Sequence, residues 1–170
     1  MMIEIRKEEP KDQDAVYHLN LNAFDNGPEA TLVDKLRVAC KDSLSFVAVE
    51  DSAVVGHILF TPVTVDGSGA AGMGLAPMAV LPSHRRKGIG SQLVRIGLER
   101  LRQSRCPFVV VLGHPGYYPR FGFEPASKYR LLSQWEGVPD DAFMAVVFDD
   151  RALPTSGGIA RYRDEFEDAM

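Results

Sequence analysis

The sequence has few cysteines, no long apolar run and no excess of positive charge. Its two cysteines, Cys40 and Cys106, show no metal-binding or redox spacing, which favours a reducing compartment over a disulfide-stapled fold. No apolar run reaches the roughly 20 residues that a membrane helix needs. The first residues lack the apolar core of a signal peptide. We therefore expect a cytoplasmic protein without a membrane partner.

The charge balance and the missing motifs exclude further function classes. A net charge of −4 at pH 7 is unfavourable for nucleic-acid binding, which needs a broad basic surface. No group of His, Cys, Asp and Glu residues has metal-ligand spacing, and no nucleophile elbow occurs. We therefore expect no metal, no covalent enzyme intermediate and no nucleic-acid partner.

The composition that remains is that of a globular protein. Of the 170 residues, 45% are hydrophobic and 25% are charged, which is sufficient for a domain with a substantial core. The run Leu-Pro-Thr-Ser-Gly-Gly at residues 153–158 marks a shift in composition. The sequence therefore predicts a single domain over residues 1–150 and a C-terminal extension over 151–170, with a short strand near residues 159–162.

The spacing of apolar residues predicts the order of the secondary-structure elements. Alternating and continuous apolar runs predict strands at residues 3–5, 46–49, 54–60, 78–81, 108–112 and 142–148. Amphipathic spacing predicts helices at residues 14–24, at residues 29–39, and for about four turns from residue 89. The central strand thus ends just before Pro82 and leads into the third helix.

A stretch dense in backbone donors joins the central strand to the third helix. It reads Arg-Arg-Lys-Gly-Ile-Gly-Ser at residues 85–91, and its glycines allow a tight turn and the close approach of a ligand. The unpaired N–H groups and the positive dipole end of a helix N-terminus suit a pyrophosphate. The stretch is not a Walker A loop, because Lys87 precedes its glycine. It is not a dinucleotide fingerprint, because Leu93 stands where the third glycine belongs.

Two motifs carry a resemblance to a known family. Val80-Leu81-Pro82 followed by residues 85–90 resembles the acetyl-CoA loop of the GNAT superfamily of N-acetyltransferases. The run Gly-His-Pro-Gly-Tyr-Tyr at residues 113–118, with Tyr118 four residues before Gly122-Phe123, resembles the signature of a bacterial subgroup of that superfamily. The resemblance covers residues 2–150. It implies an α/β (α+β) fold with a mixed, mostly antiparallel central sheet of six to seven strands, flanked by helices and splayed between strands 4 and 5.

The resemblance also implies a function. It implies an acetyl-CoA-dependent transferase that moves an acetyl group directly to a primary amine of a small molecule or peptide within a ternary complex, with a homodimer as a further expectation. The rival is a catalytically silent acyl-CoA-binding regulatory module. The residues expected to contact acetyl-CoA are Met78, Ala79, Val80, Arg85, Arg86, Lys87, Gly88, Ile89, Gly90 and Ser91. Many relatives have an asparagine after the fifth strand, where this chain has Gly113 and His114, so that contact is not carried over.

Acyl transfer to an amine needs a proton donor for the departing thiolate and a neutral amine. Tyr118 is the expected acid, because a phenol with an ordinary pKa of about 10 stays protonated at neutral pH. The alternative is that its ring only packs. Glu29 and His57 are the candidate bases. Glu29 could equally complement the dipole of its helix, His57 could be a structural residue of its strand, and loss of the amine proton through water would need no base residue.

Overall fold

The computed structural model describes residues 2–169, which divide into two compact units. The first unit comprises the described residues within 1–61, 76–97 and 164–170. The second comprises residues 62–75 and 98–163. The long strands and the third helix each contribute residues to both units, because the chain passes from one unit to the other within these elements.

The helices and strands follow the predicted order closely. The α-helices are α1 (Gln13–Ala23), α2 (Glu29–Ala39) and α3 (Ile89–Gln103). Over the described residues the strands are β1 (Ile3–Lys7), β2 (Leu44–Glu50), β3 (Ala53–Val65), β4 (Ala71–Val80), β5 (Phe108–Leu112), β6 (Glu124–Pro125), β7 (Leu131–Ser133), β8 (Phe143–Val147) and β9 (Gly158–Arg161). Short 3-10 helices include Pro82–His84, Tyr118–Phe121 and Asp164–Ala169.

The strands form a mixed, mostly antiparallel sheet. Its hydrogen-bonded order is β1-β2-β3-β4-β5-β8-β6, and β9 pairs with both β3 and β7. β4 and β5 are parallel over three residue pairs, from Met73 opposite Val109 to Leu75 opposite Val111. This sheet confirms the expected architecture, including the splayed parallel pair. Over residues 2–169 it contains nine strands and not six to seven, because β6 and β7 are too short to show any apolar periodicity in the sequence.

In the first unit, glycines bring α3 close to β3. A Cβ atom at Gly56 would lie 3.1 Å from Ile89 Cγ2 and 3.2 Å from Leu93 Cδ1, so the glycine leaves room for two buried side chains of the helix. Gly97 of α3 in turn receives the ring of Phe60, which a Cβ atom there would overlap. This interlocking of helix and strand fixes the position of the N-terminus of α3.

Helices α1 and α2 pack on each other in the same unit, and the 3-10 helix Asp164–Ala169 contacts α2. The turn between α1 and α2 is shaped by Asp25 and Asn26, whose φ angles are 52° and 61°. Asparagine and aspartate tolerate this left-handed conformation better than most residues. The turn therefore places Glu29 at the first position of α2.

In the second unit, β5 is the buried strand that the continuous apolar run predicted. Its residues Phe108 to Val111 are buried, and it pairs antiparallel with β8, from Phe108 opposite Val147 to Leu112 opposite Phe143. The strand expected near residues 159–162 is present as β9. No helix of the described chain combines the length and the apolar character that crossing a bilayer requires.

Candidate active site

The loop between β4 and α3 exposes a cluster of positive charge. Arg85, Arg86 and Lys87 are all exposed, and Arg85 Nε donates to the carbonyl oxygen of Val80 at 3.3 Å. Arg86 adopts a φ of 66°. The three cations thus immediately precede the N-terminus of α3, whose first N–H groups have no partner within the helix.

Gly88 is the residue that turns this loop into the helix. Its φ is 80°, in the left-handed region that side chains disfavour, and its carbonyl oxygen accepts from Gln92 N at 3.0 Å in the first turn of α3. Apart from Gly88 itself and its two chain neighbours, no described residue has an atom within 4 Å of the position that a Cβ atom would take. Glycine is therefore favoured at residue 88 by the backbone conformation and not by crowding from neighbouring side chains. The open space beside it leaves the helix N-terminus accessible to an anion.

A histidine that the sequence analysis did not single out anchors the loop. His84 Nε2 lies 3.0 Å from Glu50 Oε1, and His84 Nδ1 lies 2.8 Å from Ser83 Oγ. Leu81 N donates to Val55 O at 2.9 Å. These contacts attach the start of the loop to β2 and β3. Glu50 and His84 are 34 residues apart, so no local motif signals the pair.

The predicted strand residues lie at the end of β4. Ala79 is buried, whereas Met78 and Val80 are half-buried. The parallel register of β4 with β5 covers Met73 to Leu75, which precede these residues in the chain. The remaining predicted loop residues begin α3, where Ile89 is buried and Gly90 and Ser91 are half-buried.

Tyr118 is the predicted site residue that lies in the second unit, and it is buried there in an aromatic cluster. Its ring centroid lies 5.1 Å from that of Tyr117 and 5.7 Å from that of Phe123, both at steep interplanar angles. Its N–H donates to His114 O at 3.3 Å. Burial, with a smaller contribution from Tyr117, raises the pKa of Tyr118 to about 12. The phenol is therefore protonated at neutral pH.

Glu29 begins α2 and has an unusual environment for a first-turn acid. Its Oε2 atom is buried and has no hydrogen-bond partner among the described residues. A Cβ atom at Gly27 would lie 2.8 Å from that oxygen, so the preceding turn passes very close to the carboxylate. A buried carboxylate oxygen without a partner is costly, and such an atom can accept a proton or a hydrogen bond from a ligand.

His57 lies in a buried polar network within the first unit. Its Nδ1 atom is 3.2 Å from Asn20 Nδ2, and its Nε2 atom is 2.9 Å from Ser45 Oγ. Ser45 Oγ donates its hydroxyl proton to Glu8 Oε1 at 2.6 Å. Toward His57 Nε2, Ser45 Oγ is therefore the hydrogen-bond acceptor. The ring therefore carries its proton on Nε2 and accepts from Asn20 at Nδ1.

The charge state of His57 follows from its burial. The side chain is fully buried, and burial, together with the charge of Arg37, lowers its pKa to about 3. Both ring nitrogens are already engaged within the protein, which favours a structural role. Its role as a base stays a prediction.

No group of three or more His, Cys, Asp and Glu side chains in the described part of the chain is arranged to hold a metal ion. The candidate residues in the first unit are the backbone donors and cations of the loop, and the candidate residue in the second unit is Tyr118. A basic loop at a helix N-terminus and a buried tyrosine after the next strand are the two features that the acetyltransferase resemblance implied.

Comparison with known proteins shows the family of the chain. Residues 13–123 match the family model described as Acetyltransferase (GNAT) family. The chain therefore belongs to the GNAT family of acetyltransferases, an acyltransferase enzyme class. It is 37% identical over 163 residues to the uncharacterized N-acetyltransferase YhbS of Escherichia coli strain K12, which covers 95% of this chain and 97% of that relative.

Two solved structures have the same fold. The crystal structure of YhbS from Escherichia coli in complex with CoA superposes with a TM-score of 0.90 at 36% identity and covers 97% of this chain and 92% of that one. A GNAT family acetyltransferase from Brucella melitensis in complex with acetyl-CoA superposes with a TM-score of 0.81 at 35% identity and covers 97% and 98%. The predicted family, fold class and enzyme class are thus confirmed.

Proposed function

We propose that this protein transfers an acetyl group from acetyl-CoA directly to a primary amine of a small molecule or peptide within a ternary complex. The observation that carries the proposal is the loop at the N-terminus of α3, where Gly88 leaves open space beside three exposed cations. The relatives from Escherichia coli and Brucella melitensis were solved with CoA and with acetyl-CoA. We assign the same co-substrate to this chain.

The loop residues are proposed to bind the pyrophosphate. The N–H groups of Ile89, Gly90 and Ser91 belong to the first turn of α3, and the dipole of the helix adds a favourable charge interaction of about 0.3 to 1 kcal/mol. Arg85, Arg86 and Lys87 add positive charge, which is screened by salt because these side chains are exposed. The backbone N–H groups of Met78 to Val80 are assigned to the pantetheine arm and the thioester carbonyl.

The transfer itself forms one bond and breaks one. The amine nitrogen forms a bond to the acetyl carbonyl carbon, the carbon–sulfur bond breaks, and the sulfur leaves as a thiolate. Tyr118 is assigned to donate its hydroxyl proton to that thiolate, and solvent then returns a proton to the phenolate. The amine loses its own proton to a base or to water. Every proton and electron pair is then accounted for without an acyl-enzyme.

The pKa of Tyr118 sets a condition on this role. A pKa of about 12 makes Tyr118 a poor proton donor to an ordinary thiolate, because the pKa of the corresponding thiol is only about 8.5. Burial raises the pKa of a thiol for the same reason that it raises that of a phenol, because both ionised forms lose solvation. The donation is therefore effective only when the thiolate is released into a dry site, which is the condition that a closed ternary complex provides.

Glu29 is the base that we favour, because its buried Oε2 atom has no partner among the described residues. His57 is the weaker assignment, since its Nδ1 lone pair already accepts from Asn20. If neither residue acts, the amine loses its proton through water.

A homodimer and a cytoplasmic location also belong to this proposal. Light scattering over a range of protein concentrations tests the dimer, and cell fractionation tests the location.

The test is thiol release from acetyl-CoA by wild-type protein, Tyr118→Phe and the neighbouring Tyr117→Phe. We expect Tyr118→Phe to lower kcat by about 100-fold, the typical contribution of a general acid, with little change in the KM for acetyl-CoA. Tyr117→Phe removes a hydroxyl from the same aromatic cluster and serves as the matched control. Equal rates for Tyr118→Phe and wild type would remove the acid role. Binding of acetyl-CoA without turnover on any amine would instead identify the regulatory module.

A further inference from the structure

A groove of about 320 Å³ lies in the second unit, between β7, the segment that follows it and the start of β8. Six of the ten residues that line it are apolar, among them Leu132, Trp135, Val138 and Phe143. Leu132 is 57% exposed and presents apolar surface at this groove. A concave surface of this volume that combines apolar walls with a few polar groups is typical of a small-molecule site.

The charge of the groove indicates which ligands fit it. None of the described residues that line it is a lysine or an arginine, and Asp140 is its charged residue. A different groove of the same unit is lined by Arg102, Arg105 and Arg151. The groove beside β7 therefore suits an apolar body that is neutral or carries a positive charge. A ligand carboxylate would find no cationic partner there and would be repelled by Asp140.

One connection joins this groove to Tyr118 through the backbone. Phe143, which lines the groove, is paired with Leu112 at the end of β5. The next residue, Gly113, donates its N–H to Ala142 O at 2.9 Å. The ring of Tyr118 packs directly on this glycine, since a Cβ atom at Gly113 would lie 2.5 Å from Tyr118 Cε2. The backbone of the groove wall at residues 142 and 143 is thus hydrogen-bonded to the strand end on which Tyr118 packs.

A second connection runs through aromatic rings. The ring centroids of Trp135 and Tyr162 are 5.1 Å apart. Tyr162 is buried and packs on Gly74 of β4, where a Cβ atom would lie 2.6 Å from Tyr162 Cε2. Burial, and then the nearby Tyr118 hydroxyl, raise the pKa of Tyr162. Trp135 in the groove wall is therefore linked to Tyr118 through a single intervening ring.

We propose that this groove holds the apolar body of the amine acceptor, which makes the acceptor an aryl- or alkyl-amine without a carboxylate. This inference rests on the proposed acetyltransferase function and names its substrate class. Trp135 packs against the apolar body of the acceptor, and its ring face also favours a nearby ammonium group. Asp140 attracts the protonated amine as it approaches and excludes amino acids. The acceptor nitrogen is then directed toward Tyr118 from the part of the groove at Trp135.

The binding test uses Trp135 as its own reporter, because it is the single tryptophan of the chain. Selective excitation of tryptophan is combined with titration of 2-phenylethylamine, with the amino acid phenylalanine as the carboxylate-bearing control. We expect a saturable change in emission with the amine and at least about tenfold weaker binding of the amino acid, the effect of one unpaired charge. Asp140→Asn should reduce that discrimination, whereas Val38→Ser, which changes an exposed apolar residue outside the groove, should leave it unchanged.

The turnover test separates this inference from the proposed function. With 2-phenylethylamine as acceptor, Trp135→Ala should raise the KM for the amine about tenfold, the value of one aromatic contact, and leave the KM for acetyl-CoA unchanged. Failure of the wild type to bind acetyl-CoA would refute the proposed function, while the emission titration would still decide what the groove binds. The groove assignment is overturned by an unchanged Trp135 emission, or by turnover of polar amines such as ethanolamine in preference to 2-phenylethylamine.

Discussion

Acidification from pH 7 to pH 5 is expected to destabilise the protein through His57. The imidazole is fully buried, and its Nδ1 atom accepts from the amide of Asn20 at 3.2 Å. Protonation would place a charge in the core. It would also make Nδ1 of His57 a hydrogen-bond donor that faces the Nδ2 donor of Asn20. Burial lowers the pKa of His57 from its ordinary value of 6.5 to about 3.

The sign and size of the effect follow from proton linkage. Because the folded-state pKa of His57 lies below the unfolded value, the unfolded chain binds more protons between pH 6.5 and pH 3, and the free energy of unfolding falls as the pH falls. Each pH unit well below 6.5 costs about 1.4 kcal/mol. Acidification from pH 7 to pH 5 therefore costs about 2 kcal/mol. The carboxyl groups of Asp12, Glu124 and Asp149, whose pKa values are lowered, act below this window.

The assay is urea unfolding of wild type, His57→Gln and His18→Gln at pH 7, 6 and 5. A glutamine at residue 57 can accept from Asn20 and donate to Ser45 but does not titrate, so this variant should lose the pH dependence even if it is less stable throughout. His18 is exposed, and His18→Gln should keep the wild-type dependence. A wild-type free energy of unfolding that is flat over this range, or an equal slope in His57→Gln, would refute the reasoning. His57→Gln should also retain acetyltransferase activity if His57 is structural.

Three further predictions concern single side chains. Asp12→Asn should lower the free energy of unfolding in urea by about 2 kcal/mol, because Asp12 accepts from both terminal nitrogens of Arg6, at 2.7 and 3.0 Å. Gly97→Ala should lower the Tm, at a cost of about 1 to 2 kcal/mol, because its methyl group would overlap the ring of Phe60. Glu29→Gln should lower kcat for acetyl transfer by about 100-fold, the typical contribution of a general base, if Glu29 is the base; an unchanged kcat would exclude it.

The parts of the fold that were predictable are those encoded by neighbouring residues. The loop at residues 85–91 and the run around Tyr118 are contiguous motifs, so a resemblance to the GNAT superfamily can be recognised in a single sequence. The α-helices and the longer strands also follow from local apolar periodicity. β6 and β7 could not be predicted, because two or three residues contain no period.

The parts that were not predictable depend on contacts between distant residues. His57 meets Asn20 and Ser45 only after α1, β2 and β3 have packed, since these residues are 37 and 12 positions away. The contact of Trp135 with Tyr162 likewise requires the pairing of β7 with β9. A single sequence identifies such residues by type but not their partners. It is the partners that separate a structural histidine from a base.

The measurement that tests the central claim most directly is calorimetric titration of the protein with acetyl-CoA, beside CoA and adenosine diphosphate. We predict micromolar binding that depends on the pyrophosphate. Gly88→Glu should abolish this binding, and Gly88→Gln, which has the same size and the same backbone strain but no charge, should weaken it only moderately, because a carboxylate at residue 88 would repel the pyrophosphate at the N-terminus of α3. Equal affinity of wild type and Gly88→Glu would contradict the assignment of the loop, and no binding by the wild type would contradict the proposed function.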